Sequence, residues 1–418
     1  MALIVQKYGG TSVGSAERIK AVARRIAATA DQGHRVVAVV SAMGDTTDEL
    51  IALARQITDE PSERELDLLL STGEIVSCTL MAMALRALGR DAIALTGFQA
   101  GIRTNATFSK ALITRVEPER ILRELERGRI VIVAGFQGIT EDLDITTLGR
   151  GGSDTTAVAV AIGIQADRCE IYTDVDGIFT ADPRVVPEAR KLRSISYEEM
   201  LELAKLGARV MHPRAVELAG VYHMPVVVRS SFNENPGTII QDEDAMENRK
   251  KVRGIAHDTD VARITIVDVP DRPGIAAALF QPLGDAAINV DVIVQNVSHH
   301  GVTDLSFTVS RNDLRKALRT IEPIARELGA TEVTYDADLA KVSIVGAGIQ
   351  TTPGYAGRMF KTLADQNINI ISITTSEIRI TCLIKESEVE RAVRALHAAF
   401  ALEDENAPDL APRTVGQV

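Results

Sequence analysis

Residues 2–29 read ALIVQKYGGTSVGSAERIKAVARRIAAT, in which a β-rich run, a glycine turn and a helical pattern follow one another directly. The apolar positions of the last part recur at the spacing of one helix face, and they are Ile19, Val22, Ala23, Ile26 and Ala27. Ser15 is a suitable N-cap and Gly33 a suitable stop. This stretch predicts a strand that passes through a tight turn into a helix packed on a sheet.

The same alternation continues to about residue 240. Further β-rich runs, separated by helical patterns, occupy residues 35–41, 91–97, 129–135, 169–175 and 224–230. Strands that alternate with helices favour a mainly parallel sheet covered on both faces. We therefore predict an α/β domain over residues 1–241, with the sheet sandwiched by helices.

The C-terminal part of the chain contains an internal repeat. Six pairs of identical residues keep an offset of 80 positions, and they are Pro273/Pro353, Gly274/Gly354, Phe280/Phe360, Leu283/Leu363, Ile288/Ile368 and Asn289/Asn369. Each copy predicts a small α+β domain of βαββαβ type, and two such units favour sensing over chemistry. We place a polar linker at 242–262, the first copy at 263–335 and the second at 336–418, with the tail as a candidate to complete the first copy.

The composition disfavours several classes of protein. Of 418 residues, 46 are Lys or Arg and 57 are Asp or Glu, and the net charge of −11 disfavours nucleic-acid binding. Cys78, Cys169 and Cys382 are far apart and indicate neither disulfides nor a zinc site. No apolar run approaches the ~20 residues that span a bilayer. We expect a cytoplasmic protein with no membrane or nucleic-acid partner.

The turn at residues 7–10, KYGG, has the features of an anion site. Backbone N–H groups at a strand-to-helix glycine turn can close on phosphate oxygens, and Lys7 adds positive potential. The chain has no Walker loop, because no G-x-x-x-x-G-K-[ST] occurs in it. It also has no dinucleotide fingerprint, because its G-x-G pairs lack the third glycine.

Two further segments carry charged groups in turns. In GRGGSD, residues 149–154, an arginine can grip a carboxylate and an aspartate can pair with an ammonium group, so Arg150 and Asp154 suit an α-amino acid. In TDVDG, residues 173–177, carboxylates at a strand end are candidates for Mg²⁺, or for orienting lysines, beside a polyphosphate. His212 is predicted to be a packed or capping histidine.

Six segments in this order, KYGGTS, SAMGDTTDEL, STGE, GRGGSDTT, YTDVDGIFTADPR and GARVMHPRA, resemble the signature segments of the aspartate kinases in the amino acid kinase superfamily. The two C-terminal repeats resemble the paired ACT domains of these enzymes. The resemblance implies the conversion of ATP and L-aspartate to ADP and 4-phospho-L-aspartate, the committed step toward lysine, threonine and methionine. ATP with Mg²⁺ is the implied cofactor, and no residue is assigned as a direct metal ligand.

The resemblance also implies site residues. Those implied for catalysis are Lys7, Glu74 and Asp174. Those implied for ATP are Lys7, Tyr8, Gly9, Gly10, Ser41, Thr173, Asp174, Phe179, Thr180, Ala181, Asp182, Pro183, Arg184 and Arg209. Those implied for aspartate are Thr47, Glu74, Arg150, Gly151, Gly152, Ser153 and Asp154. Glu74 either holds the substrate ammonium group or positions Lys7, and both roles are open.

Three of these positions depart from the family. Many relatives have phenylalanine where Tyr8 stands, tyrosine where Phe179 stands and lysine where Arg209 stands. An exchange between aromatic residues should be mild, but arginine replaces a compact ammonium group by a planar fork. The role of Arg209 at the phosphates therefore needs its own test.

For the repeats, the resemblance implies feedback effectors, which are lysine, threonine or both. The implied effector residues are Asp271, Arg272, Pro273, Gly274, Ile275, Ala276, Asn289, Val290, Asp291, Gln295, Thr352, Pro353, Gly354, Asn369, Ile370, Ser376 and Glu377. The implied assembly is a homodimer, or an α₂β₂ complex with a regulatory subunit started near Met246. Rival hypotheses are a related kinase acting on acetylglutamate, glutamate or a nucleotide, and a catalytically silent amino-acid sensor.

Overall fold

The computed structural model describes residues 1–208, 210–242, 250–296 and 301–405. The chain divides into two compact units. The first contains residues 1–179 and 191–205 and the described part of 209–246, and the second contains residues 180–190 and 206–208 and the described part of 247–418. The single predicted boundary at 241/242 thus misses two short segments that are grouped with the second unit.

The first unit contains twelve described strands and seven described α-helices. The strands are β1 Leu3–Tyr8, β2 Arg35–Val40, β3 Ala92–Leu95, β4 Ile102–Thr104, β5 Ile113–Val116, β6 Ile130–Ala134, β7 Gln137–Ile139, β8 Ile145–Thr147, β9 Arg168–Thr173, β10 Ser194–Ile195, β11 Val226–Ser230 and β12 Thr238–Ile240. The helices are α1 Ala16–Asp31, α2 Thr46–Ile57, α3 Glu63–Ala87, α4 Glu119–Glu126, α5 Gly152–Gly163, α6 Tyr197–Lys205 and α7 Pro213–Val221. A 3₁₀ turn at Gly10–Ser12 follows β1.

The main sheet of this unit has the strand order β10-β12-β11-β9-β1-β2-β6-β3. The pairing is parallel throughout, except between β11 and β12, which run antiparallel. The six predicted runs form β1, β2, β3, β6, β9 and β11, so the predicted α/β sheet is confirmed. In register, Tyr8 lies opposite Val40 and Tyr172, and Ser230 lies opposite Thr173. The carboxyl ends of β1, β2, β9 and β11 therefore meet at one edge.

The first helix confirms its sequence pattern. All five predicted apolar positions of α1 are buried, and the Ser15 hydroxyl accepts a hydrogen bond from the Arg18 N–H. The longest helix, α3, is long and apolar enough to cross a membrane by length and composition alone. It packs against α1, α2, β3, β6 and β8 and contains the buried acids Asp67 and Glu74, as a core helix of this unit does.

A second, smaller sheet has the order β5-β4-β7-β8 and was not predicted. Its strands are three or four residues long and mix Thr, Arg and Gln with Ile and Val. Such short strands have too few positions to show an alternating apolar pattern. This small sheet ends at Thr147, directly before the GRGGSD loop.

The second unit is built on one six-stranded antiparallel sheet with the order β14-β15-β13-β16-β18-β17. Its strands are β13 Gly254–Pro270, β14 Ile293–Gln295, β15 Val302–Val309, β16 Glu332–Val345, β17 Ser372–Ser376 and β18 Arg379–Lys385. Its helices are α8 Ile275–Asp285, α9 Leu314–Glu327, α10 Tyr355–Asp365 and α11 Val389–Ala399, and a 3₁₀ turn occupies Glu386–Glu388. Each repeat has its own apolar core, one around Ile264 and Phe307 and one around Val342 and Leu396.

Two predicted boundaries inside this unit fall within long strands. Residues 254–262, predicted as linker, are the first half of β13, and the 335/336 boundary between the repeats lies inside β16. The reason is that β13 and β16 pair along both repeats, from Gly254 opposite Val345 to Val267 opposite Glu332. Two continuous strands thus serve both cores. The predicted contribution of the tail concerns residues that, after Glu405, lie outside the described chain.

Candidate active site

Two turns meet at the carboxyl edge of the main sheet. The turn after β1 brings Gly10 so close to the turn after β2 that a β-carbon on Gly10 would lie 3.0 Å from the Ala42 carbonyl oxygen and 3.1 Å from that of Gly44. The Gly44 N–H donates to the Gly10 carbonyl at 3.2 Å, and the Ser41 N–H donates to the Tyr8 carbonyl at 3.1 Å. A side chain at position 10 would therefore force the backbones of the two turns slightly apart, and glycine avoids this.

An ion pair joins the first turn to the GRGGSD loop. Lys7 Nζ lies 2.7 Å from Asp154 Oδ1, and both side chains are about nine-tenths buried. The contact is an ion pair rather than a directed hydrogen bond. The structure thus brings together two predicted residues, Lys7 from the end of β1 and Asp154 from the first turn of α5.

The second oxygen of Asp154 is also engaged. The His212 N–H donates to Asp154 Oδ2 at 3.3 Å. His212 caps α7, because its Nδ1 accepts from the Arg214 N–H at 3.3 Å, as predicted. Burial lowers the pKa of His212, which favours the neutral imidazole that this cap needs. Asp154 therefore has partners within the protein, and its predicted role toward a substrate ammonium group stays a prediction.

The GRGGSD loop turns sharply into α5 at Gly151. Gly151 has φ +67°, and a β-carbon there would lie 2.2–2.4 Å from the His212 side chain. Only glycine fits, both for the left-handed conformation and for the contact with the imidazole ring. Gly152 and Ser153 follow as the first residues of α5, and the positive end of this helix can attract an anion. The Gly152 and Asp154 N–H groups already donate to the Gly149 and Gly151 carbonyls, at 3.0 and 3.1 Å. The Arg150 side chain is exposed beside them.

Glu74 lies on the buried face of α3 and is 3% exposed. Its Oε1 accepts a hydrogen bond from the Ala42 N–H at 3.1 Å, and its Oε2 has no partner. Burial raises the pKa of Glu74 to about 7, although the Ala42 hydrogen bond lowers it. In the described chain the ion pair of Lys7 is with Asp154, which does not support a direct positioning of Lys7 by Glu74. Thr47 lies in the first turn of the neighbouring helix, α2.

The third predicted segment follows β9. Asp174 is exposed and accepts a hydrogen bond from the Thr173 hydroxyl at 3.1 Å. Asp176 instead accepts from the side-chain amides of Asn233 at 2.7 Å and Asn235 at 3.0 Å, which hold its pKa below the usual range. Asp174 is therefore available to a ligand at the sheet edge, whereas Asp176 is engaged by hydrogen bonds from the segment after β11.

Several residues predicted for ATP have buried side chains. Tyr8 is fully buried and stacks on Tyr172 with ring centroids 4.7 Å apart, so only its backbone lies at the turn. Thr180 and Ala181 belong to the second unit, where Ala181 is part of an apolar core and the Thr180 hydroxyl lies 2.8 Å from His397 Nε2. The physical reason is that Ala181 and the nearby Val186 are apolar and pack into the core of the second unit.

The remaining nucleotide-side predictions have mixed surroundings. Asp182 forms a bidentate ion pair with Arg184, at 2.7–3.2 Å, and Pro183 is exposed between them. Phe179 forms an isolated β-bridge with Lys191 in the first unit. Arg209 lies outside the described residues. These residues remain predictions for nucleotide binding.

Four residues near the site were missed by sequence reasoning. The Ser12 hydroxyl donates to the Ser231 hydroxyl at 2.9 Å, and Ser231 also bonds the Thr173 carbonyl, so the turns after β1, β9 and β11 are joined. Asp67 and Arg214 hold the backbone that leads into the GRGGSD loop. The position of Ser231 directly after a predicted strand could have identified it. Asp67 and Arg214 bond to distant chain segments, which no local sequence pattern identifies.

The predicted effector residues lie in the second unit. Gly274 and Gly354 take equivalent left-handed conformations, φ +97° and +108°, as the N-caps of α8 and α10. Asp291 forms an ion pair with Lys341, which is 8% exposed. The Ser376 hydroxyl is buried without a hydrogen-bond partner. The symmetry between the two turns confirms that the sequence repeat is a structural repeat.

The donor set fits a metal ion that arrives with a nucleotide. Among the described residues there is no group of three or more His, Cys, Asp or Glu side chains that could enclose a metal ion. Asp174 is an exposed carboxylate at the edge where the turns meet, and Mg²⁺ is commonly held by one or two carboxylates together with substrate phosphates. Asp174 is the residue that would contribute here.

Comparison with known proteins agrees with this arrangement. The amino acid kinase family model matches residues 2–230, and two ACT domain models match residues 263–326 and 342–400. The aspartate kinase of Stutzerimonas stutzeri is 52% identical over 404 residues, which cover 96% of this chain and 98% of the relative.

Two solved structures are similar over nearly the full length. Aspartokinase III of E. coli in complex with aspartate and ADP, called the R-state, is 26% identical with a TM-score of 0.81, covering 96% of this chain and 100% of that one. The same enzyme in complex with lysine and aspartate, called the T-state, is 27% identical with a TM-score of 0.73, covering 95% and 99%.

Proposed function

We propose a reaction for this chain, which belongs to the amino acid kinase family and is an aspartate kinase with two ACT domains. It transfers the γ-phosphoryl group of ATP to the side-chain carboxylate of L-aspartate. The products are ADP and 4-phospho-L-aspartate. The observation that carries the proposal is the Lys7–Asp154 pair, which sets a cation between two glycine turns at the carboxyl edge of a parallel sheet.

The chemistry needs no general base in the protein. A carboxylate with an ordinary pKa of about 3.9 is ionised at neutral pH and can attack phosphorus directly. One oxygen of the substrate carboxylate forms the new bond to the γ-phosphorus, while the bond from that phosphorus to the β-γ bridging oxygen breaks, and ADP leaves with the electron pair. The active site therefore has to align two anions rather than move a proton.

The principal barrier is charge repulsion. Two like charges 4 Å apart repel by about 4 kcal/mol at an effective dielectric near 20. Lys7 offsets the negative charge that the transferring group carries, and the N–H groups at Gly9, Gly10 and the start of α5 orient the two substrates. Asp174 would hold Mg²⁺ together with ATP, and the ion would supply further neutralisation of the phosphate charge.

The amino acid lies, in this proposal, between α3 and the start of α5. Arg150 suits the α-carboxylate because its guanidinium offers a bidentate fork. Glu74 suits the ammonium group, because its Oε2 is buried and without a partner, and a cation would stabilise its ionised form. E. coli aspartokinase III in complex with aspartate and ADP supports both ligand classes.

We further propose that the second unit binds lysine, threonine or both as feedback effectors of lysine, threonine and methionine biosynthesis. The unpartnered Ser376 hydroxyl and the paired turns at Gly274 and Gly354 support ligand binding there. The complex of E. coli aspartokinase III with lysine supports lysine as one effector. Titration of the activity with lysine and threonine, singly and together, tests this proposal; an activity that neither amino acid changes would contradict it.

The proposed assembly is a homodimer, or an α₂β₂ complex with a subunit started near Met246, which lies outside the described residues. Strands β14 and β17 are the edges of the six-stranded sheet and offer unpaired backbone groups. Light scattering of the purified protein gives the stoichiometry. A single full-length band from the native gene would reject the second form.

An acyl-phosphate trap tests the reaction itself. With hydroxylamine present, incubation with ATP, Mg²⁺ and L-aspartate should yield aspartyl hydroxamate in proportion to ADP. Glutamate, acetylglutamate and nucleoside monophosphates serve as alternative acceptors in parallel reactions. Hydroxamate from one of the alternative acids alone, or ADP without any acyl phosphate, would contradict the proposal.

A further inference from the structure

Two charged side chains, the fully buried Asp67 and the half-buried Arg214, hold the same two backbone segments. Asp67, on α3, is fully buried; its Oδ2 accepts from the Ser109 N–H at 2.9 Å and from the Thr147 N–H at 2.8 Å, and its Oδ1 accepts from the Thr147 hydroxyl at 2.6 Å. Arg214, on α7, donates to the Leu148 carbonyl at 2.6 Å and to the Ala111 carbonyl at 2.9 Å. We call this arrangement the Asp67–Arg214 clamp.

The chemistry of the clamp is complementary. The carboxylate can only accept hydrogen bonds and takes N–H groups, whereas the guanidinium can only donate and takes carbonyls. The two clamped segments are also bonded to each other, because the Ala111 N–H donates to the Thr147 carbonyl at 2.9 Å. Slippage of either segment would leave the fully buried Asp67 carboxylate without some of its hydrogen-bond donors, which is costly.

In the part of the chain that the structure describes, neither charge is neutralised by another side chain. Within the described residues, no ion pair involves Asp67 or Arg214. Burial lowers the pKa of Arg214, which shows that its surroundings do not favour the charge by themselves. A charged pair that serves only to fill space would be replaced by apolar residues at little cost. Holding backbone groups in place is therefore the role that these contacts support.

The clamp acts where the GRGGSD loop begins. Leu148 is followed by Gly149, Arg150 and Gly151, and the loop closes through a hydrogen bond from the Gly152 N–H to the Gly149 carbonyl at 3.0 Å. Gly149 takes φ +76°, with the Ser109 carbonyl 3.1 Å from the place of a β-carbon. The loop thus rests on the clamped segments at one end and on His212 at the other.

The same helices connect the clamp to the candidate active site. Asp67 and Glu74 are seven residues apart on α3 and share one face. Arg214 is two residues from His212, whose N–H donates to Asp154. We infer that Asp67 and Arg214 are positioning residues that fix the loop around Arg150 and thereby set the affinity for the amino-acid substrate. The second half of this inference rests on the proposed function.

The test compares Arg214→Met, Arg214→Lys and Asp67→Asn with the wild type in the full-length protein. Met keeps the unbranched apolar stem of the side chain and removes the donors, whereas Lys keeps the positive charge and a donor group on a flexible stem. Hydrogen exchange of backbone amides over residues 145–152 reports the loop directly. Steady-state kinetics report the KM for aspartate, the KM for ATP and kcat.

We expect faster exchange over residues 145–152 in Arg214→Met, and a KM for aspartate raised about tenfold to a hundredfold. The KM for ATP should change less than about threefold, since the loss is confined to one substrate. Arg214→Lys should restore part of the affinity and part of the protection. Glu124→Gln is the matched control, because Glu124 is a fully buried carboxylate on α4 held by Arg120, Arg127 and Arg129.

The two readouts separate the possible failures. Unchanged exchange over residues 145–152 in all three variants would overturn the clamp, whatever the enzyme does. Faster exchange with an unchanged KM for aspartate would leave the clamp standing and overturn the placement of the amino-acid site at this loop. Equal losses in Glu124→Gln and Arg214→Met would reduce the effect to general destabilisation and overturn the positioning role.

Discussion

Lys7 and Asp154 lie 2.7 Å apart although 146 residues of sequence separate a strand end from a helix start. The pair connects the turn after β1 to the loop that opens α5. Because both side chains are largely buried, each depends on the other for compensation of its charge. The cation is thus held in place before any substrate arrives, which is the preorganisation that phosphoryl transfer requires.

Replacing Lys7 with alanine should lower kcat by roughly two to three orders of magnitude, because one preorganised cation at the phosphates is lost. The hydroxamate assay at saturating ATP and aspartate measures this. Lys20→Ala, an exposed lysine on α1 of the same unit, is the control and should keep full activity. A folded Lys7→Ala protein with full activity would refute the role of Lys7.

Glu74 should give the activity a dependence on pH near neutrality. Its pKa in the folded protein is raised to about 7, so the anion that would bind the substrate ammonium group forms only as the pH rises through that value. We expect kcat/KM for aspartate to fall below pH 7 in the wild type. Glu74→Gln should be poorly active and lack this limb; an unchanged profile would assign it to another group.

Ionisation of Glu74 should lower the free energy of unfolding as the pH rises to 7 and above. A carboxyl group with a raised pKa binds more protons in the folded state, so the free energy of unfolding falls as the pH rises from about 4.5 to 7. The full penalty is about 3 kcal/mol above that window. Glu74→Gln should therefore raise the thermal midpoint relative to wild type at pH 8 more than at pH 5. A difference independent of pH would contradict the assignment.

Gly151 should tolerate no side chain. In Gly151→Ala the methyl group meets the His212 ring at 2.2–2.4 Å and the backbone remains at φ +67°, so the loop must move. We expect a loss in kcat/KM for aspartate of about a hundredfold, as for a displaced binding group. Gly33→Ala separates strain from contact, because Gly33 has φ +85° with no atom within 4 Å. It should cost about 1 kcal/mol of stability and no activity.

Thr180 should be coupled to nucleotide binding if TADPR lines the nucleotide, as the family resemblance implies. Its hydroxyl contacts His397 Nε2 at 2.8 Å and accepts from the Arg190 N–H at 2.9 Å. Thr180→Val should raise the KM for ATP severalfold, because the loop loses both contacts. Thr381→Val, which breaks the 2.7 Å contact to the Ser343 hydroxyl in the same unit, is the control. An equal KM for ATP in both variants would show that Thr180 is not coupled to nucleotide binding.

The sequence predicted those elements whose residues carry a periodic signal. The six main strands and α1 have apolar runs or faces long enough to be recognised in the sequence. The internal repeat predicted the two ACT domains. The small sheet was missed because three-residue strands such as Ile102–Thr104 have no period. The continuity of β13 and β16 was missed because polar residues, among them Asp258 and Asp336, interrupt their apolar pattern at the middle.

The candidate site was predicted as motifs but not as contacts. KYGG and GRGGSD were each interpreted correctly as turns, yet the Lys7–Asp154 pair depends on which strands lie side by side. Tyr8 sits within a glycine motif, but strand alternation turns its ring into the core, where it stacks on Tyr172. Asp67 and Arg214 bond backbone groups far along the chain, and no residue type marks such partners in advance.

Residues 180–190 lie early in the sequence but belong to the second unit, so this unit is not encoded by one continuous stretch of the gene. A polypeptide begun near Met246 would lack Thr180, the partner of His397, together with Ala181 and Val186, which are buried in the same apolar core. Such a polypeptide would expose the apolar residues that Ala181 and Val186 cover, and the buried imidazole of His397 would lack its contact with the Thr180 hydroxyl. Its solubility would depend on binding residues 180–190 of a full-length polypeptide.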